Sequence, residues 1–248
     1  MKRFFVCTAL ILTACEDNEN NEIPRLVTES EHYNYYRSEM DTDVFDTVWM
    51  EKHYAWATDI LEVESPEKLN YYKYVDREHL ERITGKETNG FAEIDNYNFH
   101  SIWFAEGHEC IHSLVVNLIG HPPALFNEGI AVALAPQPIY GHGVFQPVPT
   151  WSGVELDVIA ADLKQADEIP PLDDILNSFG FFTYDTNKTY PMAGSFVSYL
   201  IQNYGIDTLK EFFVSVEFLT ADNETKEAFE NAYGISVDEA WEAWKTNL

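Results

Sequence analysis

The second half of the chain carries apolar residues at helical spacing, separated by polar and charged positions. Apolar side chains three and four residues apart line one face of a helix, and such stripes repeat from residue 157 to the C-terminus. Gly205 and Gly234 stand where two of these stripes end, and glycine is a frequent helix stop. The pattern predicts helices over residues 157–166, 190–203, 207–218, 226–233 and 237–246.

The first half has a mixed pattern, in which short alternating stretches predict strands and longer stretches with helical spacing predict helices. The predicted strands are residues 32–36 and 68–75, the predicted helices are 43–61 and 76–83, and a hairpin is predicted over 90–94 and 97–102. The predicted fold class is therefore α+β. A small N-terminal mixed sheet with helices would occupy residues 31–120, and a helical lobe residues 121–248.

The middle of the chain is almost free of charge. From Cys110 to Val154 there is no lysine or arginine and one acid, Glu128, although the chain has 42 acids in 248 residues. This window is predicted to be buried, with Glu128 on a helix over residues 124–135 that ends before Pro136. A buried carboxylate needs a partner. A zinc ion would serve, and the alternatives are a nearby backbone group or a distant cation.

Residues 104–119 predict another helix, which ends before Gly120 and the prolines that follow. The helix contains the motif His108-Glu109-x-x-His112. Because residues four apart share a helix face, the two imidazoles can bind one Zn²⁺, while Glu109 can reach a water molecule on that ion. The alternative interpretation is a pair of surface histidines on an acidic helix.

These residues resemble a known family. The motif at 108–112 followed by Asn127-Glu128-Gly129 is similar to the gluzincin branch of zinc metallopeptidases, and more narrowly to bacterial peptidase-MA-like domains. The sequences over 190–205 and 228–244 also resemble the later helices of that group. The resemblance implies a zincin-like fold and one Zn²⁺ per chain. It also implies hydrolysis of a peptide or protein substrate.

In this interpretation His108, His112 and Glu128 are the metal ligands and Glu109 is the general base. In related enzymes a tyrosine or histidine of the helical half stabilises the oxyanion, and Tyr190 is the candidate here, with simple aromatic packing as its alternative.

The sequence departs from the family pattern in two places, and it offers two further histidines. Only fifteen residues separate His112 from Glu128, and Val132 stands where several gluzincins place an acid that supports the site. The groups that orient the two histidines must then be other side chains or backbone carbonyls. His121 and His142 are spare candidates for metal binding, although each is more often a loop or core histidine.

A second function class stays open. The chain could be a surface lipoprotein that binds a partner, with a structural or relict metal site and no turnover. The presence of Glu109 argues against it, because a structural zinc site needs no base and usually has four protein ligands.

The N-terminus predicts export. A basic start is followed by an apolar run of about eleven residues, too short to span a membrane and typical of a signal peptide. Leu12-Thr13-Ala14-Cys15 resembles the lipobox of bacterial lipoproteins, which implies a signal over 1–15, a lipid on Cys15 and a place in the bacterial cell envelope. The alternative is an ordinary signal peptide cut near Ala14. Residues 16–30 are polar and acidic and predict a flexible tether.

The net charge and the cysteine content bear on the possible partners and on disulfide bonds. The formal net charge of −27 disfavours a nucleic-acid partner. Of three cysteines, Cys110 alone would remain free in the folded domain, so no internal disulfide is expected there. Its position on the helix favours packing over metal binding.

Overall fold

The structure is a computed structural model that describes residues 21–138 and 141–248. The predicted signal peptide, Cys15 and the first part of the predicted tether lie outside these residues. The described chain is mixed α+β, as predicted. No helix within the described ranges has both the length and the apolar character needed to cross a bilayer.

A five-stranded mixed sheet forms the first layer. Its strands are β1 (Arg25–Glu29), β2 (Tyr33–Arg37), β3 (Leu69–Lys73), β4 (Gly90–Ala92) and β5 (Asn98–Ser101), in the order β1-β2-β3-β5-β4. The two central pairings are parallel, whereas β1–β2 and the β4–β5 hairpin are antiparallel. The strands predicted from β2 onward are confirmed with small shifts at their ends. Strand β4 lies at the edge of the sheet.

One N-terminal prediction is wrong over residues 25–29. Residues 16–30 were expected to form a tether, but Arg25–Glu29 form β1 and pair with β2 through main-chain hydrogen bonds. All five residues of this strand are exposed, so its place depends on backbone pairing rather than on burial. Regular secondary structure is therefore present before residue 31.

Helices and one short hairpin are the other regular elements of the described chain. In the first half they are α1 (Thr47–Leu61), α2 (Arg77–Thr84), α3 (His108–Leu118) and α4 (Ala124–Ala133). A two-stranded β6–β7 hairpin (Thr150–Trp151 and Val154–Glu155) follows. The later helices are α5 (Leu156–Gln165), α6 (Leu172–Ile175), α7 (Ser178–Phe181), α8 (Thr186–Tyr204), α9 (Ile206–Val214), α10 (Asp222–Tyr233) and α11 (Val237–Asn247).

The predicted helices are present, and several of their ends differ by up to four residues. The helices predicted from residues 43 and 226 begin at Thr47 and Asp222. The helix predicted from residue 104 begins at His108, and the one predicted from residue 190 begins at Thr186. The helix predicted to reach residue 218 ends at Val214. The single-turn helices α6 and α7 are too short to show a periodic pattern.

The central helix pair, α4 and α8, is packed at close range through two glycines. A Cβ on Gly129 would lie 2.5 Å from Cγ2 of Val197, and a Cβ on Gly194 would lie 2.6 Å from Cγ1 of Val132. All ten residues of α4 are buried, as predicted for this part of the charge-free window. Val132 is thus a packing residue, and its position facing α8 leaves no room for an acid. The prediction of burial is wrong for the end of the window, because most residues from 141 to 154 are exposed.

Candidate metal centre

The helix α3 begins with the motif residues and is capped by a carboxylate from the chain just before it. Oε1 of Glu106 accepts hydrogen bonds from the backbone N–H groups of His108 (2.9 Å) and Glu109 (3.4 Å). Oε2 of Glu106 accepts from the hydroxyl of Ser101 at 2.8 Å. The first N–H groups of a helix have no partner within the helix. Glu106 supplies that partner and so fixes the turn that carries His108 and Glu109.

Three predicted ligand atoms meet between α3 and α4. Nε2 of His108 and Nε2 of His112 are 3.0 Å apart. Oε2 of Glu128 lies 3.2 Å from the first nitrogen and 3.3 Å from the second. The planes of the two rings are nearly perpendicular, at 85°. The structure therefore brings all three side chains to one place.

This triangle has the size that a tetrahedral ion requires. Zinc ligands at about 2.05 Å in tetrahedral geometry are separated from one another by about 3.3 Å. The observed sides of 3.0, 3.2 and 3.3 Å match this value closely. Two imidazole nitrogens and one carboxylate oxygen are a donor set that suits Zn²⁺. His108, His112 and Glu128 could therefore hold one such ion.

The charges of these groups support each other. Burial alone would raise the pKa of Glu128, but the charge of His112 and hydrogen bonds from both imidazoles hold that pKa well below its usual range. Burial alone would lower the pKa of His108, but Glu128 and then Glu109 raise it to about 9. Glu128 is thus an ionised carboxylate in a buried place, where it needs positive charge beside it.

Glu109 lies one residue round the helix and contacts the sheet edge. Burial raises the pKa of its carboxyl to about 7, and the carboxylates of Glu106 and Glu128 add to this effect against the opposing charge of the histidines. Gly90 of β4 faces it so closely that a Cβ there would lie 2.9 Å from both Cγ and Oε1 of Glu109. The carboxylate therefore lies between the helix and the edge strand, outside the ligand triangle.

Tyr190 completes this side of the site. Its ring is stacked on His108, with centroids 5.9 Å apart and planes 17° from parallel. It lies in the second turn of α8 rather than at the helix start. Burial first, then the charges of Glu128 and Glu109, raise the pKa of its hydroxyl above the usual range. The hydroxyl therefore keeps its proton and can donate a hydrogen bond.

A cleft of about 1180 Å³ opens beside these residues. Residues of β4, of β6 and of the start of α8 line the cleft. Apart from the acids already described, the wall residues are mainly apolar or aromatic, including Phe91, Trp103, Phe104, Trp151 and Phe218. Such a concave, largely apolar lining with a few convergent polar groups is typical of a binding site.

The remaining sequence candidates lie apart from the triangle. His121 lines the cleft and stacks on Phe218, with ring centroids 4.7 Å apart. His142 is exposed and lies 3.6 Å from a carboxylate oxygen of Asp46. Neither belongs to the ligand cluster found among the described residues. Cys110 is buried, and its Sγ lies 3.2 Å from the hydroxyl of Tyr33, which agrees with a packing role.

A second acidic cluster, Glu31, His32 and Glu51, differs from the first in its geometry. Nδ1 of His32 and Oε2 of Glu51 are 2.6 Å apart, a hydrogen-bond distance shorter than the spacing of two ligands on one ion. The His32 ring also stacks on Tyr54, and Glu31 is exposed. This group is therefore best described as a hydrogen-bonded pair with an acidic neighbour.

The sequence analysis did not identify two residues of the site, Glu106 and Gly90. It also expected a group that orients each histidine ring, and for His112 no such group is found among the described residues. Glu106 could have been found from its place just before the first helical turn, where acids favour a helix start. The sequence around Gly90 does not indicate its role, because the side chain that it faces, Glu109, is nineteen residues further along the chain. The buried Nδ1 of His112 has no hydrogen-bond partner among the described residues, so no orienting group for that ring was found there.

Comparison with known proteins does not assign a family: no protein-family model matches the chain, and no curated protein matches it significantly.

Proposed function

We propose that the chain is a zinc-dependent metallopeptidase of zincin-like, gluzincin type. The observation that carries this proposal is the ligand triangle of His108, His112 and Glu128, with sides of 3.0 to 3.3 Å. The free carboxylate of Glu109 next to it is the second support, because a purely structural site has no use for one. The resemblance of the motifs to bacterial peptidase-MA-like domains points the same way.

The three ligands would hold Zn²⁺, which supplies Lewis acidity that activates water and polarises the scissile carbonyl. Glu109 takes a proton from the attacking water and passes it to the leaving amine. A carboxyl group whose pKa lies at about 7 suits both steps at neutral pH. The protonated hydroxyl of Tyr190, beside His108, donates a hydrogen bond to the oxygen that becomes negative.

The substrate is proposed to be an extended peptide lying along β4. This strand is at the sheet edge and borders the cleft, and the edge of a sheet can pair with an extended chain through its backbone. A lipid anchor at Cys15 would hold the enzyme in the bacterial cell envelope, as the sequence over residues 12–15 suggests.

The test is the change Glu109→Gln in the chain from residue 16 onward. The variant should bind one zinc ion as tightly as the wild type and should hydrolyse casein at least about 100-fold more slowly, because the base is lost. Glu31→Gln removes an exposed acid away from the cleft and should leave hydrolysis unchanged. Full activity of Glu109→Gln would refute the assignment of the base. Zinc binding without turnover of any peptide by the wild type would instead support the partner-binding alternative.

A further inference from the structure

We propose that Gly90 is a positioning residue for Glu109, because the absence of a side chain at position 90 creates the space in which the carboxylate of Glu109 lies. A Cβ placed there would be 2.9 Å from Cγ and 2.9 Å from Oε1 of Glu109, and 3.0 Å from the carbonyl oxygen of His100. The inference rests on the proposed function, since it concerns the proposed base.

Backbone conformation does not explain why position 90 is a glycine. The described glycines with positive φ are found at turns and helix ends, and Gly90 is not among them. Its position in β4 is therefore one that any residue can adopt. Glycine within a strand is unfavourable unless something approaches closely, and here the close neighbour is the side chain of Glu109.

A larger residue at position 90 would move Glu109 rather than the strand. The backbone of Gly90 is held from two directions, because its residue pairs with Ser101 across the hairpin and its carbonyl accepts a hydrogen bond from the Thr88 hydroxyl at 2.8 Å. Apolar contacts settle at about 3.5 to 4.0 Å, so the carboxylate would be displaced by about 0.5 to 1 Å. The main chain of Glu109 belongs to the first turn of α3, which leaves rotation of the side chain as the response.

The first experiment separates the base from the metal. Gly90→Ala should lower kcat/KM by about 100-fold, the loss expected when a reacting group is misplaced by about 1 Å. Zinc affinity should stay within about threefold of the wild type, because the three atoms nearest to a Cβ at position 90 belong to Glu109 and His100 and not to the proposed ligands. Most of the loss should appear in kcat. Wild-type kcat/KM in Gly90→Ala would overturn the inference.

The second experiment needs no catalytic activity. Overfilling a packed site costs stability, so Gly90→Ala should lower Tm by several degrees in the full chain. If the clash is with the side chain of Glu109, the same change in a Glu109→Ala background should lower Tm by less than half as much. In a Glu87→Ala background, which removes a nearby exposed acid instead, the loss should be unchanged.

The two experiments fail in different ways. An equal fall in Tm in the wild-type and Glu109→Ala backgrounds would show that position 90 is restricted by the His100 carbonyl alone, and would overturn the inference. A wild-type protein without any peptidase activity would overturn the proposed function, while the comparison of Tm values would still decide whether Gly90 makes room for Glu109.

Discussion

Replacement of Glu106 by alanine should weaken both the fold and the site, because this one carboxylate joins the sheet to the first turn of α3. It is 8% exposed and accepts hydrogen bonds from two helix N–H groups and from the hydroxyl of Ser101. Glu106→Ala leaves these donors without an acceptor in a buried place. His108 and Glu109 lie in the turn that loses its cap.

The size of the effect follows from the three contacts. Loss of a side-chain cap costs about 0.5 to 2 kcal/mol, and a hydrogen bond to a charged group contributes about 1.5 to 3 kcal/mol. The contact with Glu109 N is long, at 3.4 Å, so it adds little. We expect a total loss of about 2 to 3 kcal/mol, which corresponds to a fall in Tm of about 4 to 12 °C in a chain of this length.

The matched control is Glu106→Gln, which keeps an oxygen acceptor for the helix N–H groups and replaces the acceptor of the Ser101 hydroxyl by an amide that donates to the hydroxyl oxygen. Thermal unfolding of the metal-free chains should show less than half the alanine effect for glutamine. Peptide hydrolysis should fall by about 10- to 100-fold in the alanine variant, as it does when groups that support a metal site are lost. Equal Tm values for the wild type and Glu106→Ala would refute the assigned cap.

Two further predictions concern pH and metal. Burial lowers the pKa of His53 to about 4, although the Leu134 carbonyl accepts a hydrogen bond from the ring. Between pH 6.5 and 4 the unfolded chain therefore binds more protons at this residue than the folded chain does. The free energy of unfolding consequently falls as the pH falls through this range. Urea unfolding should show that the free energy of unfolding falls by about 2 kcal/mol from pH 7 to pH 5 because of His53, and His53→Gln should lack this part of the fall. The same dependence of the unfolding free energy on pH in the wild type and in His53→Gln would contradict the prediction. Zinc at about 100 times its Kd should stabilise the wild type and Glu31→Gln by about 2.7 kcal/mol and Glu128→Gln far less. Equal shifts in all three would place the ion elsewhere.

The part of the site that lies on a single helix could be predicted from the sequence. Residues 108 and 112 are four apart, so their imidazoles had to share a face of α3, and their Nε2 atoms lie 3.0 Å apart. Glu128 was identified by a different signal, the absence of other charges around it. Both signals are local, and both could be read without knowing how the helices pack.

Contacts between distant parts of the chain could not be read in this way. Strand β1 consists of exposed residues, and its two apolar residues, Leu26 and Val27, are adjacent and do not alternate with polar ones. The sequence therefore gives no sign of the backbone pairing that holds this strand to β2. The start of α3 was predicted four residues early. The helix begins after Glu106, whose side chain caps it, and residues 104 and 106 make hydrogen bonds with α1 and the residue before it instead of continuing the helix. The carbonyl of Phe104 accepts from Asp46 N, and Glu106 N donates to Sδ of Met50.

The direction in which Glu128 points depends on such a distant contact. Helix α4 is buried on all sides, so burial alone does not choose which face meets α3. Gly129 makes the choice, because a Cβ there would lie 2.8 Å from the carbonyl oxygen of Ala193, and only a glycine lets the backbone of α8 come this close. With residue 129 turned toward α8, the preceding residue lies about 100° round the helix. That rotation turns the Glu128 carboxylate toward the two imidazoles of α3, so the packing of two helices fixes the third corner of the ligand triangle.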